Sequence, residues 1–276
     1  MTRSAAAALL ALCASVAWES AHAGESAWSR DTGAAARLIS AGRKSPGVLS
    51  AGVQVRLDPG YKTYWRYAGD AGVPPHFDWT GSDNLAEARV LFPAPRSFAD
   101  GNGRSLGYKE EVVFPLEIVP ADPSRPVRLR LALDYAVCDK ICIPAKADAA
   151  LTLDPGATVS PTLVRLVDAH EKRVPKAATL AGGGPLAIEK AVLEGAGKDG
   201  ALVVLARGRP GSKLELAVEA PEVLQPATQS PQLADAEGLT SFRLALPEPE
   251  KAPGAAIVLT LSDGERAVEV PVTLGR

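Results

Sequence analysis

Cysteine is nearly absent from this chain of 276 residues, which has only three, with three histidines and one methionine. That scarcity excludes a dense disulfide framework and a metal site of repeated Cys/His spacing. His76 and His170 lie far apart, and neither stands beside a nucleophile motif. Strong charge is missing too. The formal net charge is -2, which gives no reason to propose nucleic acid or an anionic membrane surface as a partner. Beyond the N-terminus no stretch reaches the ~18 uninterrupted apolar residues of a membrane span, so direct membrane insertion is not expected. No Gly-rich loop follows a strand and opens a helix, so a phosphate cradle is not indicated. Gly182-Gly183-Gly184 runs into Pro185 and a strand, as a linker does. Pairs such as Glu110-Glu111 and Glu248/Glu250 lie in turns and read as solvated. No cofactor and no metal are expected.

The N-terminus reads as an export signal. Arg3 is the positive end, Ala5–Val16 is the short apolar run, and Ala21-His22-Ala23 is a small-x-small cleavage pattern. Cys13 leaves with that segment, and the mature chain is expected to begin at Gly24. An exported chain meets an oxidising compartment, so the expected localisation is the periplasm. Cys138 and Cys142 are then the two cysteines of the mature protein.

Helix-favouring runs are scarce, while glycine (25) and proline (23) are plentiful. The expected class is all-β: an immunoglobulin-like β-sandwich, then a second, smaller β-sandwich, joined by a short helix and a Gly-rich linker. The first block of strands is read at 37–40, 49–57, 62–67, 88–92, 112–119, 127–137 and 147–153. Asp58-Pro-Gly60, Pro74-Pro75, Asp100-Gly-Asn-Gly103 and Asp122-Pro123 supply turns between them. Ser160-Pro161 reads as an N-cap and first helical residue, opening a helix to about Arg173. A second block follows at 186–193, 202–207, 213–219, 240–246, 255–261 and 267–273. The expected organisation is 1–23 signal, 24–155 redox domain, 156–185 helical linker and 186–276 second β-sandwich.

Chemistry concentrates in Asp134-Tyr-Ala-Val-Cys138-Asp-Lys-Ile-Cys142-Ile-Pro144. In 127–137 the apolar row is Val127, Leu129, Leu131, Leu133, Tyr135 and Val137. The other row runs Arg128, Arg130, Ala132, Asp134 and Ala136, then Cys138, which places that sulfur on the less buried face. Asp139-Lys140-Ile141 is a hairpin tip, and a bridge between adjacent strand ends is sterically reasonable. A structural disulfide is one reading. However, closing a loop of about five residues removes only roughly 2 kcal/mol of unfolded-state entropy, against about 4.7 for 100 residues. So short a bridge fits better as a couple that exchanges with another thiol. It is not the thioredoxin arrangement, because a strand rather than a helix adjoins the pair.

Several segments in order resemble the periplasmic N-terminal region of the thiol:disulfide interchange protein DsbD and of its copper-tolerance relatives of the ScsB type. They are Pro59-Gly-Tyr-Lys-Thr-Tyr-Trp-Arg66, Gly69-Asp-Ala-Gly72, Pro74-Pro-His-Phe-Asp-Trp79, Gly81-Ser-Asp-Asn84, Gly107-Tyr-Lys109 and Leu133–Cys138 with Cys142-Ile-Pro144. The resemblance implies an immunoglobulin-like domain with Cys138 and Cys142 as the catalytic, exchanging pair. It implies a membrane-embedded thiol–disulfide electron carrier as one partner and periplasmic disulfide-containing proteins as the other. The well-known members have a longer insertion between the cysteines. This chain ends at Arg276 without a membrane segment or a thioredoxin-like domain, so the expected electron source is another polypeptide. The family shields its cysteines with an aromatic-bearing loop. The corresponding stretch here is 96–108, with Phe98 as cap or as core. Tyr61, Tyr64, Trp65 and Trp79 are expected to pack. Cys142 is the expected attacking thiol. Two alternatives stay open: a binding module with an inert disulfide, and Cu(I) held by the thiol pair.

Overall fold

The computed structural model describes residues 24–101, 103–195 and 199–275. The expected signal segment, including Cys13, lies outside them.

Eleven strands come first: β1 (Ser29–Asp31), β2 (Ala34–Ser45), β3 (Val48–Leu57), β4 (Lys62–Gly69), β5 (His76–Asp78), β6 (Leu85–Val90), β7 (Arg96–Asp100), β8 (Gly103–Lys109), β9 (Glu111–Pro120), β10 (Val127–Cys138) and β11 (Cys142–Leu153). They form two sheets, ordered β1-β2-β3-β9-β6 and β11-β10-β4-β8-β7, with β5 pairing separately with β10. One hydrophobic cluster draws from both sheets, including Leu38, Val53, Phe114 and Ile118 from the first and Trp65, Leu106, Leu129 and Leu133 from the second. The fold is all-β and immunoglobulin-like in this region.

The long strand β10 forms because its alternation lets one row face this cluster. Val127, Leu129, Leu131, Leu133, Tyr135 and Val137 are buried, while Arg128, Arg130 and Asp134 are exposed. Turn chemistry sets the strand ends. Tyr61 N–H donates to the Asp58 carbonyl across Asp58-Pro-Gly60, and Gly60 supplies a φ of 93°. Asn84 sits at φ 57° and its buried amide donates to the carbonyls of Asp122, Arg125 and Pro126. It thereby fixes the start of β6 against the β9–β10 connection.

A helix, α1 (Pro161–Glu171), follows, with Pro161 in its first turn. Ser160 holds the N-cap position, but its side chain makes no capping bond. Leu163 and Val167 pack on Ile39, Ala41 and Val113 of the first sheet. The helix is therefore held by its apolar face and not by its cap. His170 is buried at the last turn, and its Nδ1 lies 3.0 Å from the Leu166 carbonyl.

The remaining strands are β12 (Lys176–Ala177), β13 (Ala187–Glu194), β14 (Ala201–Arg207), β15 (Lys213–Glu219), β16 (Gln232–Leu233), β17 (Leu239–Ala245), β18 (Ala256–Ser262) and β19 (Ala267–Thr273). They form the sheets β12-β19-β18-β15-β16 and β13-β14-β17. A second cluster, including Ile188, Val204, Leu214, Phe242, Leu259 and Val270, belongs to these strands. The stretch 96–108, read from sequence as a loop, is instead a paired hairpin of β7 and β8.

Candidate functional site

The site lies at one end of the β10–β11 hairpin. The two strands pair over twelve positions, from Val127↔Leu153 to Cys138↔Cys142. A disulfide joins the last pair, whose Cα atoms are 4.2 Å apart. This is near the ~4.5 Å of a non-hydrogen-bonded cross-strand pair, where side chains approach most closely. Asp139, Lys140 and Ile141 form the exposed tip, and Ile141 is 74% exposed.

The two sulfurs are not equivalent. Cys138 is 1% exposed, whereas Cys142 is exposed. Strand alternation had put Cys138 on the less buried face, and the structure corrects that expectation. Along most of β10 that face is solvated, but at its end Tyr64 and Ala68 of β4 cover Ala136 and Cys138 as a small cluster of their own. Strand β4 reaches there because it pairs with β10 only at this end, through Thr63↔Val137 and Lys62↔Cys138. Thr63 Oγ1 donates to the Ala136 carbonyl at 2.9 Å and pins the two strands together.

Tyr64 is fully buried, and its hydroxyl lies 2.7 Å from Cys138 Sγ and 3.1 Å from Cys142 Sγ. Burial and then the negative charge of Asp100 push its pKa up to about 12. The phenol thus stays protonated at neutral pH and can donate to sulfur. Its ring is boxed in: a Cβ on Gly72 would come within 2.2 Å of it. Lys62 is 6% exposed, and its Nζ lies 2.7 Å from Asp100 Oδ2, at the tip of the β7–β8 hairpin. That oxygen makes no well-directed hydrogen bond, so the contact is chiefly an attraction between charges.

Sequence reasoning found the two cysteines and missed their neighbours. The sequence gives Tyr64 a packing role and does not mark Lys62 or Asp100. The available signal is Lys62 two residues before Tyr64, both inside the family-like segment Pro59–Arg66. Phe98 belongs to neither large cluster and is half-buried, with its ring 4.8 Å from Lys109 Nζ. The aromatic at the sulfurs is Tyr64. Trp65 lies in the core, as expected, and Tyr61 and Trp79 pack against it. His76 is exposed on β5, and no group of three or more His, Cys, Asp or Glu side chains converges among the described residues.

Residues 35–154 match the family described as thiol:disulfide interchange protein DsbD, N-terminal. The crystal structure of the N-terminal periplasmic domain of ScsB from Proteus mirabilis superposes with a TM-score of 0.69 at 21% identity, covering 92% of this chain and 99% of that one. At that identity the likeness establishes the fold. The D0-D1 domain of intimin (TM-score 0.22, 10% identity, 87% of this chain and 96% of that one) also aligns, too loosely to carry an argument. No curated protein matches. The family match over residues 35–154, the shared fold and the bridged hairpin all point the same way, to a likeness with the DsbD N-terminal family.

Proposed function

We propose that this protein is a periplasmic thiol:disulfide exchange protein of the protein-disulfide reductase type, working through Cys138 and Cys142. The observation that carries the reading is the asymmetry of the bridge: one sulfur is exposed, and the other is buried against a protonated phenol.

In the oxidised protein, a partner thiolate attacks the exposed Cys142 Sγ. The Cys138–Cys142 bond breaks and a partner–Cys142 disulfide forms. Cys138 Sγ leaves with the electron pair as a thiolate, and Tyr64 Oη–H donates a hydrogen bond to it. Stabilising the leaving sulfur speeds exchange. A second partner thiolate then attacks the partner sulfur of the mixed disulfide and releases Cys142. The balance is two electrons and two protons gained by the pair and one disulfide formed in the partner. In the reverse direction, Cys142 attacks a target disulfide and Cys138 resolves it. The electron donor in this scheme is a membrane-embedded thiol–disulfide carrier, and the acceptors are periplasmic disulfide-containing proteins.

The domain reading that accompanies this function assigns 1–23 to export, 24–155 to the redox domain, 156–185 to a helical linker and 186–276 to a second β-sandwich. The two large hydrophobic clusters support it, one drawn from β2–β11 with Ala217 as its single later member and the other from the chain after α1.

Trapping tests the mechanism. Cys138→Ser should accumulate a mixed disulfide through Cys142, seen as discrete bands on acid-quenched non-reducing gels that vanish with reductant. Cys142→Ser, with its remaining thiol buried, should trap far less. Two monomeric single variants, with a wild-type potential below about −300 mV, would mark the bridge as structural.

A further inference from the structure

The C-terminal strands have no cysteine or histidine, yet they do not contact the redox region at random. Arg66 of β4 donates to Glu219 of β15 at 2.6 Å and also bonds Glu269 of β19. Its guanidinium lies over the Trp65 ring, 4.5 Å from the centroid. The Ser97 N–H of β7 donates to Glu215 Oε2 of β15 at 2.6 Å. Asp70, just after β4, accepts from Thr228 N–H through one oxygen and from Arg104 N–H of β8 through the other. Ala217 of β15 is buried in the first hydrophobic cluster. Every one of these polar contacts falls on β4, on β7–β8 or on the residue that joins them.

Of these strands, β4 borders the disulfide, and the tip of β7–β8 reaches the lysine paired with Cys138. β4 carries Lys62, Thr63 and Tyr64, and β7 carries Asp100. β7 is the edge strand of its sheet, and the side of Ser97 that lacks a β-partner is taken by Glu215. A short polar edge strand is weakly held by itself. Here an external carboxylate holds it.

We infer that the C-terminal region acts as a clamp that sets the position of the β7–β8 hairpin beside Lys62 and Tyr64, with Arg66 and Glu215 as positioning residues. The clamp keeps Asp100 beside Lys62 and Tyr64. In that position the carboxylate offsets the ammonium of Lys62, the cross-strand partner of Cys138, and opposes negative charge on the leaving sulfur. When the hairpin loosens, the Lys62 ammonium is unpaired next to Cys138, the thiolate is a better leaving group, and the bridge opens faster. The consequence for the disulfide rests on the exchange function proposed above. The hold on the hairpin does not.

The test uses the full chain. Arg66→Glu and Glu215→Ala are compared with wild type, with the swap Arg66→Glu/Glu219→Arg and with Glu215→Gln, which keeps an acceptor for Ser97. Two quantities are read: hydrogen exchange of the β7 and β8 amides, and the rate at which dithiothreitol opens the Cys138–Cys142 bridge. In each disrupted variant those amides should exchange about tenfold faster while β2, β3 and β9 amides do not change. Bridge opening should accelerate about fivefold, as expected for a better leaving thiol. The swap and Glu215→Gln should return both readings to within about twofold of wild type. Disrupted variants that keep their folded β2–β3–β9 protection and exchange β7–β8 amides at the wild-type rate overturn the clamp. Faster amides with an unchanged opening rate overturn its reach to the disulfide. A wild-type bridge that resists dithiothreitol altogether counts against the exchange function, and the amide comparison still decides the clamp because it needs no redox step.

Discussion

The two large hydrophobic clusters of this molecule are built from different materials. The first contains Trp65, Tyr108, Phe114 and Tyr135, with Phe77 and Phe92 packed against it. Phe114 makes edge-to-face contacts with Phe77, Phe92 and Tyr108, with centroids 5.3–5.5 Å apart. The second cluster is aliphatic apart from Phe242. Aromatic rings with polar tips let the first region bury hydroxyls: Tyr108 donates to the Pro93 carbonyl, and Tyr64 meets the two sulfurs. An aliphatic core holds a shape but offers no such group. Under the proposed function, the contrast is between a region equipped for chemistry and one equipped for support.

The largest test of this contrast compares Phe114→Ala with Phe242→Ala. Each deletes a ring that is 1% exposed and should cost about 3–5 kcal/mol. Denaturant unfolding followed by reduction assay should find that only Phe114→Ala alters the behaviour of the disulfide at concentrations well below the midpoint. Equal disturbance by both would erase the division of labour. Next in size is the bridge. Reducing it, or replacing both cysteines by serine, should lower stability by only about 2 kcal/mol, and the chain should stay folded by circular dichroism. Global unfolding on mild reduction would assign the bridge to structure.

Tyr64→Phe sharpens the comparison further. It removes one hydroxyl and leaves the ring, so stability should change by about 1 kcal/mol. Bridge opening by dithiothreitol should slow about tenfold, since a charge-assisted bond to the leaving thiolate contributes about 1.4 kcal/mol or more. An unchanged rate would return Tyr64 to a packing role. The smallest effect concerns His170. Burial is the main cause holding its pKa below the ordinary histidine value. The unfolded chain therefore binds a proton that the folded chain refuses, and stability falls as the pH drops below about 6.5. His170→Gln should flatten that slope in thermal melts between about pH 6.5 and 5. A slope that survives the substitution would trace to another group.

The strands that sequence reading located best are those with a clean alternation. β10, β15 and β19 follow it from end to end or nearly so, because one face of each meets a single core. β7 and β8 escaped notice for a physical reason. Arg96-Ser-Phe-Ala-Asp100 has no apolar row, and its edge is completed by Glu215, more than a hundred residues later. The cysteine pair was legible because its spacing in a hairpin is local. The burial of Cys138 was not, since it depends on which residue of β4 crosses the end of β10. Tyr64 was hidden likewise: periodicity says that a side chain points inward, not what it meets there.

The hairpin that carries the bridge also dictates how long its intermediate lasts. Val137↔Ile143 and the ten pairs beyond it are held by the strand ladder, not by the sulfur bond. After the bond opens, the freed Cys138 thiolate remains opposite Cys142 at cross-strand distance. Its effective concentration at that sulfur stays far above that of any free thiol in solution. A mixed disulfide on Cys142 is therefore a fleeting species in the intact protein. Under the exchange function proposed above, the molecule hands electrons on or lets its partner go, and dwells on neither.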